Sequence, residues 1–356
     1  MAKFLYWLLL LVPITLGVHL AMPSAHILVF ALSALSMIPL AHLLSEATEN
    51  LSSRAGPTLG ALLGVTFGNA GELLIGFFAL REGLQDVVKA SITGSILVNL
   101  LLTLGIAIVA AGSRKKTLKF NALGARTQAT TLALAAVSLA LPAAYHWLGG
   151  NVATRREADL SFEFALVLIA TYALSLLFTL RTHRQLLAAP DRPAAESEDK
   201  PWSTKRSVGL LLASAVLVGW MSEVLVGSVE AASRSLGLTA LFVGLVIVAI
   251  AGNAAESTSA IRAAVKGQMD LCVGIGIGSS IQVALFVAPG LVLISHFMGS
   301  RPMDLVFTPA ELVALLFTIM ITGQIAGDGD SNWFEGVQLL AVYFMMGVMF
   351  YFLPGG

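Results

Sequence analysis

Charge is the scarcest property of this chain. Only 12% of its 356 residues are Asp, Glu, Lys or Arg, where a soluble domain carries about 25%. The charges cancel, 21 basic against 21 acidic, so total charge argues for no nucleic-acid partner. Cysteine is nearly absent too. The single Cys272 excludes an intramolecular disulfide framework and any cysteine-cluster metal site. Its six histidines are scattered and never fall into His-Glu-x-x-His spacing, which removes the commonest zinc-enzyme pattern.

What replaces charge is apolar surface: 57% of residues are hydrophobic and the mean hydropathy is +0.85. Windows of about 20 apolar residues are the length a helix needs to cross a bilayer. They place eleven spans near 4–20, 25–44, 58–80, 90–111, 129–148, 162–180, 207–231, 238–261, 270–297, 308–326 and 334–353. Backbone polar groups must be satisfied within each segment in lipid, so runs of this length are helices. The expected class is an all-α integral membrane protein.

Two stretches interrupt that apolar background in matching ways, Gly68-Asn69-Ala70-Gly71-Glu72 and Gly252-Asn253-Ala254-Ala255-Glu256. A carboxylate at mid-span costs roughly 3 kcal/mol on insertion scales, so such a residue is a functional candidate by default. An offset of 184 residues aligns the surroundings without a gap. Gly60 falls on Gly244, Gly83 on Gly267, Asp86 on Asp270, Gly94-Ser95 on Gly278-Ser279, and Glu46 on Glu230. The chain is therefore an internal repeat. Its expected organisation is an extra N-terminal helix (1–24), a five-helix repeat (25–180), a linker (181–206) and a second five-helix repeat (207–356). The linker holds a short acidic patch of Glu196, Glu198 and Asp199, read as a solvated face.

Loop charge orients the chain. With the N-terminus in the cytoplasm, 15 of the 21 lysines and arginines fall on cytoplasmic segments and 6 on outer ones. An odd number of spans then leaves the C-terminus outside. Five crossings separate corresponding helices, so the repeats have opposite orientation, the arrangement of secondary transporters with a midplane site between halves.

At that site Thr66, Asn69 and Glu72 recur at helical spacing, as do Asn253, Glu256 and Ser259. Gly68 and Gly252 permit close helix approach or a local break. Carboxylate, amide and carbonyl oxygens are hard ligands suited to calcium. Ser95 and Asn99 in the fourth span, and Ser279, Ser280 and Gln282 in the ninth, are placed to line the same cavity. Two carboxylates there balance a dication. Once it leaves, two like charges in a low dielectric favour taking up protons, so cation and protons compete.

The stretch Gly56-Pro57, Gly60, Thr66-Phe67-Gly68-Asn69-Ala70 and Glu72 resembles the first signature of the calcium/cation–proton antiporters of the CAX type. Val248-Ala249, Gly252 to Glu256, Met269-Asp270-Leu271 and Gly278 to Phe286 resemble the second, and Asp328-Gly329, Ser331-Asn332-Trp333 and Glu335-Gly336 resemble the sequence before the last helix. The resemblance covers about residues 40 to 350. It implies a calcium/proton exchanger of eleven helices with a sodium/calcium exchanger-like fold, in which Glu72 and Glu256 are the central ligands. It also implies that Glu223 and Glu230, with Glu46 as their first-half counterpart, line the cation pathway. Ser257 stands where the family usually has histidine, Gly71 where it has threonine and Gly64 where it has asparagine.

The expected function is transport, not enzymatic catalysis, with calcium and protons as substrates, no cofactor, and the bilayer of a prokaryotic plasma membrane as surroundings. Homo-oligomerisation stays open. Sodium or manganese exchange and a passive cation channel are the alternatives. An intramembrane aspartyl protease, raised by Gly327-Asp328-Gly329-Asp330, lacks the tyrosine-aspartate partner that its chemistry requires.

Overall fold

The computed structural model describes residues 6–153, 156–182, 202–298 and 302–353. Most of the linker, with its acidic patch, lies outside the described residues. The chain folds into helices α1 (Leu11–Ala21), α2 (His26–Gly68), α3 (Ala70–Arg81), α4 (Gln85–Gly112), α5 (Ala122–Ala153), α6 (Glu157–Thr182), α7 (Thr204–Leu236), α8 (Ala240–Gly252), α9 (Ala254–Val265), α10 (Met269–Ser295), α11 (Pro309–Asp328) and α12 (Trp333–Phe352). Among the described residues, eight helices are long and apolar enough to cross a membrane, or ten when each of two bent pairs counts as one span. The expected eleventh, at the N-terminus, is a shorter apolar helix, Tyr6–Ala21.

Local chemistry explains where helices stop. Gly56 takes φ 82°, a left-handed conformation that glycine adopts cheaply, and Pro57 follows with no N–H to donate; together they divide α2. Thr308 accepts from Glu311 N while the Glu311 carboxylate accepts from Thr308 N, a capping box that starts α11. Asn332 Oδ1 accepts from Phe334 N and Glu335 N and starts α12. Glu335 lies in the first turn of α12, whereas Asp328 is the last residue of α11.

The two halves are woven together. The first helices of the repeats, α2 and α7, pack along each other, and α4 of the first half crosses α8 of the second. At one end of the bundle, β1 (Leu118–Lys119) pairs antiparallel with β2 (Asp330–Ser331), joining the loop after α4 to the loop after α11. Asn121 N donates to Asp270 Oδ1 at the same end.

The 184-residue offset also reveals where the halves differ. At Gly94 a Cβ would stand 2.0 Å from Leu245 O, and at Gly244 it would stand 3.0 Å from Ala90 Cβ, so α4 and α8 are in backbone contact. The corresponding contact, between α2 and α10, is open. Gly278 and Gly274, which correspond to Gly94 and Ala90, have nothing within 4 Å, and Gly60 packs instead on the Ser52 carbonyl of its own helix. A repeated sequence thus adopts two different packings.

That asymmetry is testable. Gly94→Ala should destabilise the protein by about 1–3 kcal/mol, the cost of overpacking, while Gly278→Ala should stay within about 0.5 kcal/mol of wild type. Thermal unfolding of the two variants in detergent measures the difference; equal melting temperatures would contradict it.

Candidate functional site

Neither motif lies on a continuous helix. Asn69 (φ −102°, ψ 19°) and Asn253 (φ −93°, ψ 11°) leave helical geometry, and the chain bends by 46° between 62–68 and α3 and by 58° between α8 and α9. The expectation that Thr66, Asn69 and Glu72 share one helical face therefore fails at the break. Thr66 Oγ1 donates to Leu62 O, and the residue is exposed. Each break starts a new twelve-residue helix, with Glu72 or Glu256 in its first turn. The positive end of a helix dipole favours a carboxylate there, which offsets part of the cost of burying it.

The break asparagines are held by the opposite repeat. Asn99 Nδ2 donates to Asn253 Oδ1 at 2.8 Å, and Asn253 Nδ2 donates to Ser95 Oγ and to Ala249 O, each at 2.8 Å. In the other half, Asn69 Nδ2 donates to Gln282 Oε1. The helices that supply these partners both carry a π-helical turn, at Val98–Thr103 and Val283–Val287, and Asn99 sits within the first of them. Such bulges turn a side chain out of the regular helical register and recur at functional sites.

The two motifs meet. A Cβ on Gly252 would lie 3.9 Å from Glu72 Oε1, and one on Gly71 would lie 3.6 Å from Gly252 O. Glu72 and Glu256 are within electrostatic reach of each other. Asn69, Asn253, Ser95, Asn99 and Glu72 are all buried, with Asn99 and Asn253 fully so. Three acceptor oxygens of this cluster, Glu72 Oε2, Glu256 Oε2 and Asn99 Oδ1, are buried without a hydrogen-bond partner. Unpartnered acceptors at that depth are costly unless a cation or protons satisfy them. Among the described residues no three His, Cys, Asp or Glu side chains are grouped to hold a metal. Two carboxylates with an amide oxygen form a hard donor set.

A cavity of about 360 Å³ reaches Glu256 from the end of the bundle that carries the β1–β2 pair. Ser45, Thr48, Glu49, Gly64 and Gly68 of α2 line it, with Ser259 of α9 and Gly274, Gly278, Ser279 and Gln282 of α10. The opposite end is plugged. Met303, Leu305 and Phe307 of the extended segment before α11 are fully buried, Leu305 N donates to Ser161 Oγ, and Lys89 Nζ donates to Asp304 Oδ1 at 2.6 Å. Thr93 Oγ1 donates to Glu311 Oε1 beside them.

The remaining sequence candidates have other partners. Glu46 accepts from Tyr6 OH at 2.6 Å, and its neighbour Glu49 is the carboxylate on the cavity wall. Glu223 accepts from Arg81 Nη2 at 2.5 Å, and the exposed Glu230 pairs with Arg234 one turn along its own helix. Ser280 is fully buried and donates to Gly276 O of its own helix. Ser257 shares a 2.6 Å hydrogen bond with Thr103. Glu49, Ser45 and Thr48 escaped the sequence reading, although their three- and four-residue spacing at the end of an apolar run is the signal of a polar stripe.

Comparison with known proteins places these features in a family. The sequence model described as sodium/calcium exchanger protein matches residues 25–181 and 206–352. The chain is 43% identical to a protein named Ca(2+)/H(+) antiporter from Aphanothece halophytica, over 98% of this chain and 96% of that one. It is 42% identical to the Ca(2+)/H(+) antiporter ChaA of Bacillus subtilis, over 93% of each. The solved structure of native YfkE superposes with a TM-score of 0.84 at 35% identity, covering 99% of this chain and 100% of that one. With its paired breaks, its crossed halves and these relatives, the chain is a membrane protein belonging to the sodium/calcium exchanger protein family.

Proposed function

We propose that this protein is a secondary transporter that exchanges Ca2+ for protons by alternating access, with Glu72 and Glu256 as the shared binding groups. The observation that carries the reading is the meeting of the two motifs, with Glu72 Oε1 beside Gly252 and with Glu72 Oε2 and Glu256 Oε2 both buried without a partner. A divalent cation between them is neutralised by two negative charges. When it departs, two like charges close together in a low dielectric are neutralised at least cost by protons. Exchange follows because both cargoes need the same oxygens. Asn99 Oδ1 supplies a further hard ligand. Asn69, Asn253, Gly68 and Gly252 shape the breaks, and Ser279 and Gln282 line the approach. The relatives named Ca(2+)/H(+) antiporter support this cargo pair.

The open cavity and the plugged far end describe one access state. The open end bears Arg114, Lys115, Lys116 and Lys119, so by the positive-inside rule it faces the cytoplasm and the protein is inward-open. The N-terminus is then cytoplasmic and the C-terminus outside, in a prokaryotic plasma membrane. The units are an added N-terminal helix, a repeat over 25–180, a cytoplasmic linker over 181–206 and a repeat over 207–356.

In proteoliposomes, an imposed pH gradient should drive Ca2+ against its own gradient, which a passive pore cannot do. Glu72→Gln and Glu256→Gln should each lower the rate at least about 100-fold, since breaking a buried charge arrangement costs about 3 kcal/mol or more. Substantial exchange by either variant would refute the assignment. Asn253→Ala removes two contacts between repeats and should cost about 1–2 kcal/mol of stability, read as a lower melting temperature in detergent. An unchanged melting temperature would show that the asparagine network does not hold the halves together.

A further inference from the structure

Helices α3 and α9 are corresponding elements, each twelve residues long, each starting at a break asparagine and each carrying an arginine in its last turn. The two arginines are in opposite conditions. At the plugged end, Arg81 Nη2 donates to Glu223 Oε1 at 2.5 Å, linking α3 of the first repeat to α7 of the second. At the open end, Arg262 Nε and Nη2 are buried with no hydrogen-bond partner. Guanidinium nitrogens buried without a partner are unfavourable, and arginine is the residue best suited to a fixed carboxylate partner.

The missing partner is in sight. Helix α2 stands to α9 as α7 stands to α3, because the 184-residue offset exchanges the two pairs. Helix α9 packs against α2, which places Arg262 within electrostatic reach of Glu49 and His42, and Glu46 lies between those two with its carboxylate accepting from Tyr6. Glu49 makes no ion pair among the described residues; it accepts only from Ser45 Oγ, at 3.4 Å, on the wall of the cavity that leads to Glu256. The glycine contacts show which way the gap would close. Gly274 and Gly278 of α10 face open space where their counterparts Ala90 and Gly94 meet α8.

We infer that Arg262 is a positioning residue for the exchange, an inner latch that pairs with Glu49 when the cavity closes, as Arg81 pairs with Glu223 when the far end is closed. The inference rests on the alternating-access reading given above. Each access state then holds one cross-repeat ion pair and opens the other. In the open state Glu49 is a free carboxylate at the entrance, where it attracts an arriving cation. In the closed state Arg262 cancels that charge and fixes α2 against α9. Arg262 touches no cargo and acts through Glu49.

The test uses the full-length protein with Ser45→Cys as a reporter on the cavity wall. Cys272, the sole native thiol, is fully buried and adds no background. In that background, Arg262→Gln and Glu49→Gln should each hold the cavity open, raising the rate of labelling by a membrane-impermeant maleimide. Turnover should fall about tenfold, as loss of one state-specific contact shifts the populations. Arg81→Gln should move labelling the opposite way. The exchange of charges, Arg262→Glu with Glu49→Arg, should restore turnover to within about threefold of the reporter protein, because a latch needs opposite charges and not a particular order. Wild-type labelling and turnover in Arg262→Gln, or a swapped pair no better than the worse single variant, would overturn the latch. If Arg262→Gln does not fold, Glu49→Gln decides alone by the direction of its labelling change. A reporter protein that moves no calcium in response to a pH gradient would instead sink the exchange reading, while the opposed labelling shifts would still report the latch.

Discussion

Two carboxylates buried at one point, where a helix breaks in each half, set the terms for the rest of the structure. A bilayer-spanning helix satisfies its own backbone, so a break must be compensated by neighbours. Here each break asparagine is tied to the opposite repeat, Asn253 to Ser95 and Asn99 and Asn69 to Gln282. The two motifs meet at the same place, where Glu72 Oε1 lies beside Gly252 at the second break. Helix dipoles ease the burial of negative charge without cancelling it. What remains, two acidic oxygens and an amide oxygen without partners, is a demand for positive charge that protons and a hard cation both meet.

Around this fixed centre the packing is deliberately unequal. Backbone contact through Gly94 and Gly244 and the buried segment with Met303, Leu305 and Phe307 close one side. Open space at Gly274 and Gly278 leaves the other side accessible. Because the two halves carry the same pattern of small residues, exchanging their packings reaches the opposite state with contacts of the same kind. Two states of comparable energy are what a carrier requires, since a cargo can shift an equilibrium only by its differential affinity for the two.

Much of this was legible in the chain itself. The apolar runs locate the helices, and the 184-residue offset singles out Glu72 and Glu256. The bends were legible only as one of two options, because a glycine within an apolar run serves close helix packing as well as a break. The π-helical turns were hidden for a related reason: they shift the register by one residue and leave no compositional trace. Glu49 shows a deeper limit. Mapping Glu230 back by the offset points to Glu46, yet the cavity is lined by Glu49. A repeat is symmetric in sequence, while any one access state is asymmetric in structure. Glu223 and Glu230 pair with Arg81 and Arg234, contacts whose reach across or along helices no linear pattern displays.

Competition for one pair of carboxylates is the centre of the account, and proton release on calcium binding tests it most directly. Calorimetric titration of the purified protein with Ca2+, in two buffers of different ionisation enthalpy, counts the protons released per cation bound. Competition predicts that protons are released as calcium binds, that calcium affinity weakens as pH falls, and that both effects are lost in the Glu72→Gln/Glu256→Gln double variant. Calcium binding of the same affinity at every pH, with no proton released, would contradict it.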